Sequence, residues 1–296
     1  MHLGNLFTAL LSWLSVRSRG GRWVLRIEDL DPQRSKPEYA RLIEDDLAWL
    51  GLDRDEGGLD DAGPNGPYSQ SRRGDIYEEY LNRLIATGYT YPCTCTRADI
   101  LATQAPHQSD GRVIYGGRCR PPQLPDFSTR HEGRCATRLY VPDEEILFSD
   151  RVYGPQRVNL THECGDFILR RADGAWAYQL AVVVDDALMG VNEVVRGSDL
   201  LLSTAQQVYL CRLLGFDVPE YAHVPLVCNG EGRRLSKRDL SLNMSQLRAR
   251  YSAREIIGKL ACMAGLLTEP EPCEASELIP LFSWDKVPRS MTVCAE

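Results

Sequence analysis

The sequence predicts an α/β protein built on a parallel β-sheet with helices on both faces, carrying one inserted subdomain and ending in a short helical region. Three observations lead there. Apolar residues recur at helical spacing in several stretches, short apolar runs of strand length alternate with them, and a middle region dense in Cys, Pro, Gly and Arg breaks the alternation.

The elements follow in order. A helix is expected from about Leu3 to Arg19, because Leu3, Leu6, Phe7, Leu10, Leu11 and Leu14 repeat on one stripe. A strand at Trp23 to Ile27 comes next, then a helix around Tyr39 to Leu50 that turns Tyr39, Leu42, Ile43, Leu47 and Leu50 inward. Gly57 to Pro67 reads as a loop, and a helix from roughly Arg73 to Ala86 stops at Gly88. Beyond the interruption, Leu180 to Val184 reads as a buried strand and Leu200 to Leu214 as a helix. Ala222 to Val227 reads as a strand entering a polar loop. The expected division is a first α/β half over 1–88, the insertion over 89–171, a second half over 172–240 and a helical region over 241–296. No internal repeat or low-complexity tract is present.

At 296 residues and 43% hydrophobic content the chain can bury a sizeable core. No apolar run approaches the ~18 residues of a membrane helix, and the N-terminus has no signal-peptide pattern, so a cytoplasmic protein without a membrane partner is expected. The ten cysteines then read as reduced thiols, some of them metal ligands. The net charge of -7 argues against a nucleic-acid partner until its distribution is considered. Residues 28–61 hold twelve acidic and four basic residues, whereas 233–259 hold eight basic and two acidic. That second stretch could follow a phosphate backbone. The ordinary alternative makes Arg248, Arg250, Arg254 and Lys259 the solvated face of a helix whose Leu247, Tyr251, Ile256, Ile257 and Leu260 pack inward.

Two short segments far apart in sequence suggest one nucleotide site. His2-Leu3-Gly4-Asn5 opens the first helix, where free backbone N–H groups and the positive end of the helix dipole favour phosphate and Gly4 permits close approach. Arg234-Leu235-Ser236-Lys237-Arg238 is a cationic loop able to follow charge developing on a phosphoryl group. Three further candidates stand at expected strand ends: Glu28, which suits an ammonium group, and Tyr178 and Arg196 on the other half of the sheet. Each has an ordinary alternative. Glu28 could cap a turn or pair with Arg26 or Arg34, Tyr178 could be a core aromatic, and Arg196 could form a surface ion pair.

The two segments resemble the HIGH and KMSKS signatures of class I aminoacyl-tRNA synthetases. Residues 23–32, 166–171, 178–186 and 195–197 resemble the glutamyl and glutaminyl branch in the same order. Roughly three quarters of the chain is covered by the resemblance. It implies a Rossmann-type catalytic core, with His2 and Lys237 stabilising the reacting phosphates, and His2, Gly4, Asn5 and Lys237 binding ATP together with Mg²⁺. It also implies that Glu28, Tyr178 and Arg196 hold glutamate. After Arg238 only residues 239–296 remain, too few for a helical anticodon-binding domain. The resemblance is therefore strongest to a short paralogue that activates glutamate and transfers it to queuosine at the wobble position of tRNA(Asp), with a monomeric state expected. A catalytic fragment that charges a tRNA 3′ end, and a synthetase-like tRNA-binding protein without catalysis, are the alternatives. Members of the branch place a strand and an arginine-bearing turn before the first signature, whereas here His2 directly follows Met1. The expectation is that this first strand is missing and that glutamate activation is weak.

Inside the insertion, Cys93-Thr94-Cys95 and Cys119 offer three thiolates on short loop-bounded segments, the donor set of a structural zinc. The alternative is a set of buried free thiols. His107 and His131 are the general chemical choices for a fourth ligand. The resemblance instead implies Tyr115, through the pattern Tyr115-Gly116-Gly117-Arg118-Cys119. Cys135, Cys164, Cys211, Cys228, Cys262, Cys273 and Cys294 show no ligand spacing.

Overall fold

The computed structural model describes residues 1–31, 33, 35–102, 114–128, 133–227 and 244–290. Helix α1, Leu3–Ser18, buries Leu6, Phe7, Leu10, Leu11, Trp13 and Leu14. It is covered on two sides, by the C-terminal region and by a strand of the second half, which is why its apolar stripe is wider than one helix face needs. Strand β1, Val24–Leu25, pairs in parallel with β2, Glu56–Gly57. Between them runs α2, Pro37–Trp49, with a proline in its first turn. Here one expectation fails. Tyr39 and Leu42 are 49% and 55% exposed, whereas Ile43, Leu47 and Leu50 pack inward as expected, joined by Ala40. The inward face therefore holds for the later turns of the helix and fails at its start.

Helix α3, Gly74–Ile85, leads to β3, Thr90–Cys93, and to the short α4, Arg97–Ala102. After them come β4, Ala136–Leu139, then the hairpin of β5, Glu145–Asp150, and β6, Gly154–Asn159. Helix α5, Leu160–Glu163, and strand β7, Phe167–Arg170, close this stretch. Strands β3, β4 and β7 form an antiparallel sheet. The hairpin, although it lies within the expected insertion, joins the second α/β half.

That half begins with the largest correction. Leu180 to Val184 belongs to helix α6, Tyr178–Leu188, not to a strand. Leu180, Ala181, Val182, Val183 and Val184 are all buried, and a run that is apolar on every side carries no periodicity to separate a buried helix from a buried strand. Strand β8, Glu193–Gly197, helix α7, Leu201–Leu214, and strand β9, Glu220–Val224, follow, with β8 and β9 paired in parallel. The sheet order is β6-β5-β9-β8, with β5 parallel to β9 and antiparallel to β6. The single parallel sheet expected from sequence is therefore corrected. Among the described residues the strands of the two halves lie in separate sheets, β1 with β2 and β8 with β9, and the second is mixed.

Helices α8, Met244–Arg250, and α9, Ala253–Met263, complete the chain with 3₁₀ turns after them. Leu247, Ile256, Ile257 and Leu260 are buried in the same core as the apolar side chains of α1, and Arg248 reaches across to Asp46 at 2.7 Å. One core joins α1 to this C-terminal region, and a second joins α3, α6 and α7 to the β5–β6 hairpin.

Candidate active site

A cavity of about 550 Å³ opens between the two halves, within the range of sites for small ligands. Its walls include His2, Gly4, Asn5, Glu28, Tyr178 and Arg196. These six come from four segments of the chain, and all are candidates from sequence. Lys237, Arg234 and the rest of the cationic loop lie outside the described residues, as do Arg34, His107 and His131.

The floor at α1 is built by the helix start. His2 takes the extended N-cap conformation, and its backbone N–H donates to Asn5 Oδ1 at 3.2 Å. A Cβ on Gly4 would sit 3.2 Å from His2 Cε1, so the glycine leaves the imidazole room against the first turn. The amide of Asn5 thus serves the helix start as well as facing the cavity, a use that the sequence reading did not include.

Glu28 follows β1, as expected, but it is not alone. Arg26 donates through Nη2 to Glu28 Oε1 at 3.1 Å and through Nη1 to Asp186 Oδ1 at 2.6 Å, and its Nε lies 3.7 Å from Asp185. The ion pair that sequence offered as the ordinary alternative for Glu28 is therefore present, beside the cavity rather than instead of it. Burial alone would lower the Arg26 guanidinium, but Asp186, Glu28 and Asp185 together hold it above its ordinary value. Asp185, fully buried, also accepts from Arg73 Nε at 2.6 Å, Gln70 Nε2 at 2.8 Å and Tyr77 Oη at 2.8 Å. Sequence reasoning did not single out Arg26, Asp185 or Asp186 as site residues. The available signal was two adjacent carboxylates ending an otherwise apolar run.

Tyr178 is the first residue of α6, so a helix N-terminus carries it to the rim, not a strand end as expected; it is 37% exposed. Arg196 does stand near the carboxyl end of β8 and is 8% exposed. Its Nε donates to His223 Nε2 at 3.1 Å and its Nη2 to Thr204 Oγ1 at 2.8 Å.

A second cluster lies in the stretch between the halves. Cys93 ends β3, and the sulfurs of Cys93, Cys95 and Cys119 lie within 4.8 Å of one another. Cys95 Sγ is 3.5 Å from Cys119 Sγ, and Tyr115 Oη lies 3.5 Å from Cys93 Sγ and 3.9 Å from Cys95 Sγ. A tetrahedral zinc with Zn–S bonds of about 2.3 Å separates its sulfurs by about 3.8 Å, so the spacing and the donor set fit that ion. Burial pushes the Cys95 thiol up to about 11, with Cys119 adding to the rise. Burial acts the same way on Cys119, but hydrogen bonds from Tyr115 and the Thr94 backbone outweigh it and bring that thiol to about 7. The surroundings are held by a buried carboxylate. Asp166 accepts from Arg120 Nε and Nη2, both at 2.8 Å, from the Val141 N–H at 2.9 Å and from Tyr91 Oη. Tyr115 packs under Arg138, whose guanidinium sits 3.8 Å from the ring centre. Gly165 bridges to Tyr115 with φ near +67°, and a Cβ there would lie 2.9 Å from the Tyr115 carbonyl oxygen, so no side chain fits at that crossing.

Comparison with known proteins shows the family of the chain. The sequence profile of the tRNA synthetases class I (E and Q), catalytic domain, matches residues 1–296. The chain is 48% identical over 295 residues to the Glutamyl-Q tRNA(Asp) synthetase of Symbiobacterium thermophilum, covering 98% of this chain and 90% of that protein. It is 46% identical over 292 residues to the protein of the same name from Nitratidesulfovibrio vulgaris, covering 97% and 90%. Among solved structures, the glutamate-tRNA synthetase of Elizabethkingia anophelis superposes with a TM-score of 0.83 at 30% identity, over all of this chain and 66% of that one. The chain thus spans about two thirds of the longer synthetase but nine tenths of its curated relatives, and it belongs to the class I tRNA synthetases of the E and Q type, in the group of the Glutamyl-Q tRNA(Asp) synthetases.

Proposed function

We propose that the cavity binds ATP and L-glutamate, joins them as glutamyl-adenylate, and that the chain then transfers glutamate to the queuosine base at the wobble position of tRNA(Asp). The observation that carries this reading is the convergence of His2, Gly4 and Asn5 with Glu28, Tyr178 and Arg196 on one cavity. In the first step the glutamate α-carboxylate attacks the α-phosphate and pyrophosphate leaves. His2, the α1 N-terminus and Lys237 offset the charge on the phosphates, together with the Mg²⁺ that accompanies ATP. Glu28 takes the substrate ammonium, Arg196 takes a carboxylate, and Tyr178 closes the rim. In the second step a hydroxyl of the queuosine cyclopentenediol attacks the mixed anhydride, giving an ester and releasing AMP. No covalent bond to the enzyme is needed.

Zinc held by Cys93, Cys95, Cys119 and Tyr115 has a structural part in this reading, closing a lobe in which few of the described residues are buried and apolar. The enzyme acts as a monomer in the cytoplasm. Among the described residues no helix is long and apolar enough to cross a membrane. Charging with labelled glutamate, using tRNA from cells with and without queuosine, tests the reading. Label on the modified tRNA alone supports it, and label at the 3′ end of either tRNA overturns the proposed acceptor.

A further inference from the structure

Arg196 cannot hold a substrate carboxylate well if its guanidinium is free to swing, since each orientation lost on binding costs affinity. Three adjacent strands remove that freedom. Arg196 on β8 and His223 on β9 are direct register partners, and Asp150 at the end of β5 is the neighbour of Tyr221 on β9. His223 Nδ1 lies 2.7 Å from Asp150 Oδ2, while Arg196 Nε donates to His223 Nε2 at 3.1 Å. Both Asp150 and His223 are buried, outside the cavity lining, and the function proposed above does not use them.

The chemistry fixes the proton positions. A guanidinium is always protonated and only donates, so His223 Nε2 must be the bare, accepting nitrogen. The proton of the neutral ring then sits on Nδ1 and is donated to Asp150. Asp150 is itself held by the backbone N–H groups of Val152 at 2.9 Å, Tyr153 at 2.8 Å and His223 at 3.0 Å. Thr204 Oγ1 accepts from Arg196 Nη2, and Tyr221 lies under the guanidinium at 5.3 Å. Among the described residues Nη1 has no hydrogen-bond partner, which leaves one edge of the fork for a ligand.

We infer that Asp150, His223 and Thr204 form a positioning relay that sets the tautomer of His223 and locks the Arg196 guanidinium in the orientation that receives the carboxylate of the amino-acid substrate. The inference rests on Arg196 being a glutamate-binding residue. Asp150 and His223 are positioning residues, because neither touches the cavity.

The test measures dissociation constants for glutamate and for ATP by titration calorimetry on the full chain. In Arg196→Ala, glutamate binding should be largely lost; unchanged binding there would overturn the role of Arg196 itself. In His223→Leu, the glutamate Kd should rise roughly tenfold, the size of one oriented hydrogen bond to a charged group, while the ATP Kd stays put. His223→Gln, which can place a carbonyl oxygen near the position of Nε2, should recover most of that loss. A general packing defect would not show this split or this rescue. Should His223→Leu fail to fold, Thr204→Val carries the test, since it keeps the shape and removes the hydroxyl that accepts from Arg196 Nη2 and also lies 3.1 Å from His223 Nε2. A severalfold rise in glutamate Kd supports the relay. Wild-type glutamate Kd in the folded variants, alongside loss in Arg196→Ala, would overturn the relay and leave Arg196 in place.

Discussion

The cavity lies between two large apolar cores, whereas the thiol cluster rests on a core whose buried members, among the described residues, are Tyr91, Cys93 and Tyr115. Both regions contain buried charge, yet its setting differs. Around the cavity, Arg26 and Arg73 share Asp185 with Gln70 and Tyr77, and these groups are wedged between packed helices. Around the cysteines, Asp166 binds Arg120 and Tyr91, and few of the described residues there are buried and apolar. The lesson is that a site between cores can tolerate an open cavity because packing holds its walls. A lobe whose described residues bury so few apolar side chains gains from a cross-link of another kind, the part that the proposed zinc would take.

The largest effect should come from the cavity wall. Asp185→Ala leaves Arg73 buried without its carboxylate, and removing one partner of a buried pair costs about 3–5 kcal/mol. The urea unfolding midpoint should fall accordingly, and a midpoint near wild type would mean that packing, not the ion pairs, fixes the wall. Next comes the lobe. Cys119→Ser should abolish binding of the roughly one zinc per chain expected for a four-ligand site and expose residues 93–135, around the cysteines, to limited proteolysis, while glutamate and ATP binding in the cavity persist. Loss of glutamate binding together with the metal would show that the two regions are one unit and break the comparison.

The smallest effect concerns acid. Burial holds His223 below its ordinary 6.5, against the pull of Asp150 and Asp199 and with Arg196 adding to the lowering. Burial would raise Asp150, but hydrogen bonds from His223 and the Tyr153 and Val152 backbone bring it below its ordinary 3.8. For both groups the unfolded chain takes up the proton first, so stability rises with pH across each window. Unfolding midpoints should therefore fall as pH drops from 7 to 5 through the His223 window and fall further below 4 through that of Asp150. His223→Gln should flatten the upper part of that curve, and an unchanged upper slope would place the sensitivity elsewhere.

Much of this was legible in the sequence. The stripe of α1, the stop of α3 at Gly88 and the extent of α7 follow local rules that a single segment obeys by itself. The two signatures pointed to His2, Gly4 and Asn5, and the strand ends to Glu28 and Arg196. Helix α6 was not legible, because Leu180 to Val184 is apolar on all sides and so lacks the signal that distinguishes helix from strand. Two residues expected on the inward face of α2 depart from it for a related reason. Its neighbours, not its own pattern, decide that Tyr39 and Leu42 stay exposed. The partners of Arg26 and His223 could not be read either, since Asp186 lies 160 positions from Arg26 and Asp150 lies 73 from His223. Local patterning says nothing about which distant carboxylate a sheet will bring alongside.

The most direct measurement is a crystal structure with a non-hydrolysable glutamyl-adenylate analogue. The account predicts its adenylate group against His2 and the start of α1, and its glutamyl part between Glu28, Tyr178 and Arg196, within the single cavity. An analogue bound elsewhere, or bound with His2 and Arg196 on opposite sides of an empty cavity, would contradict it.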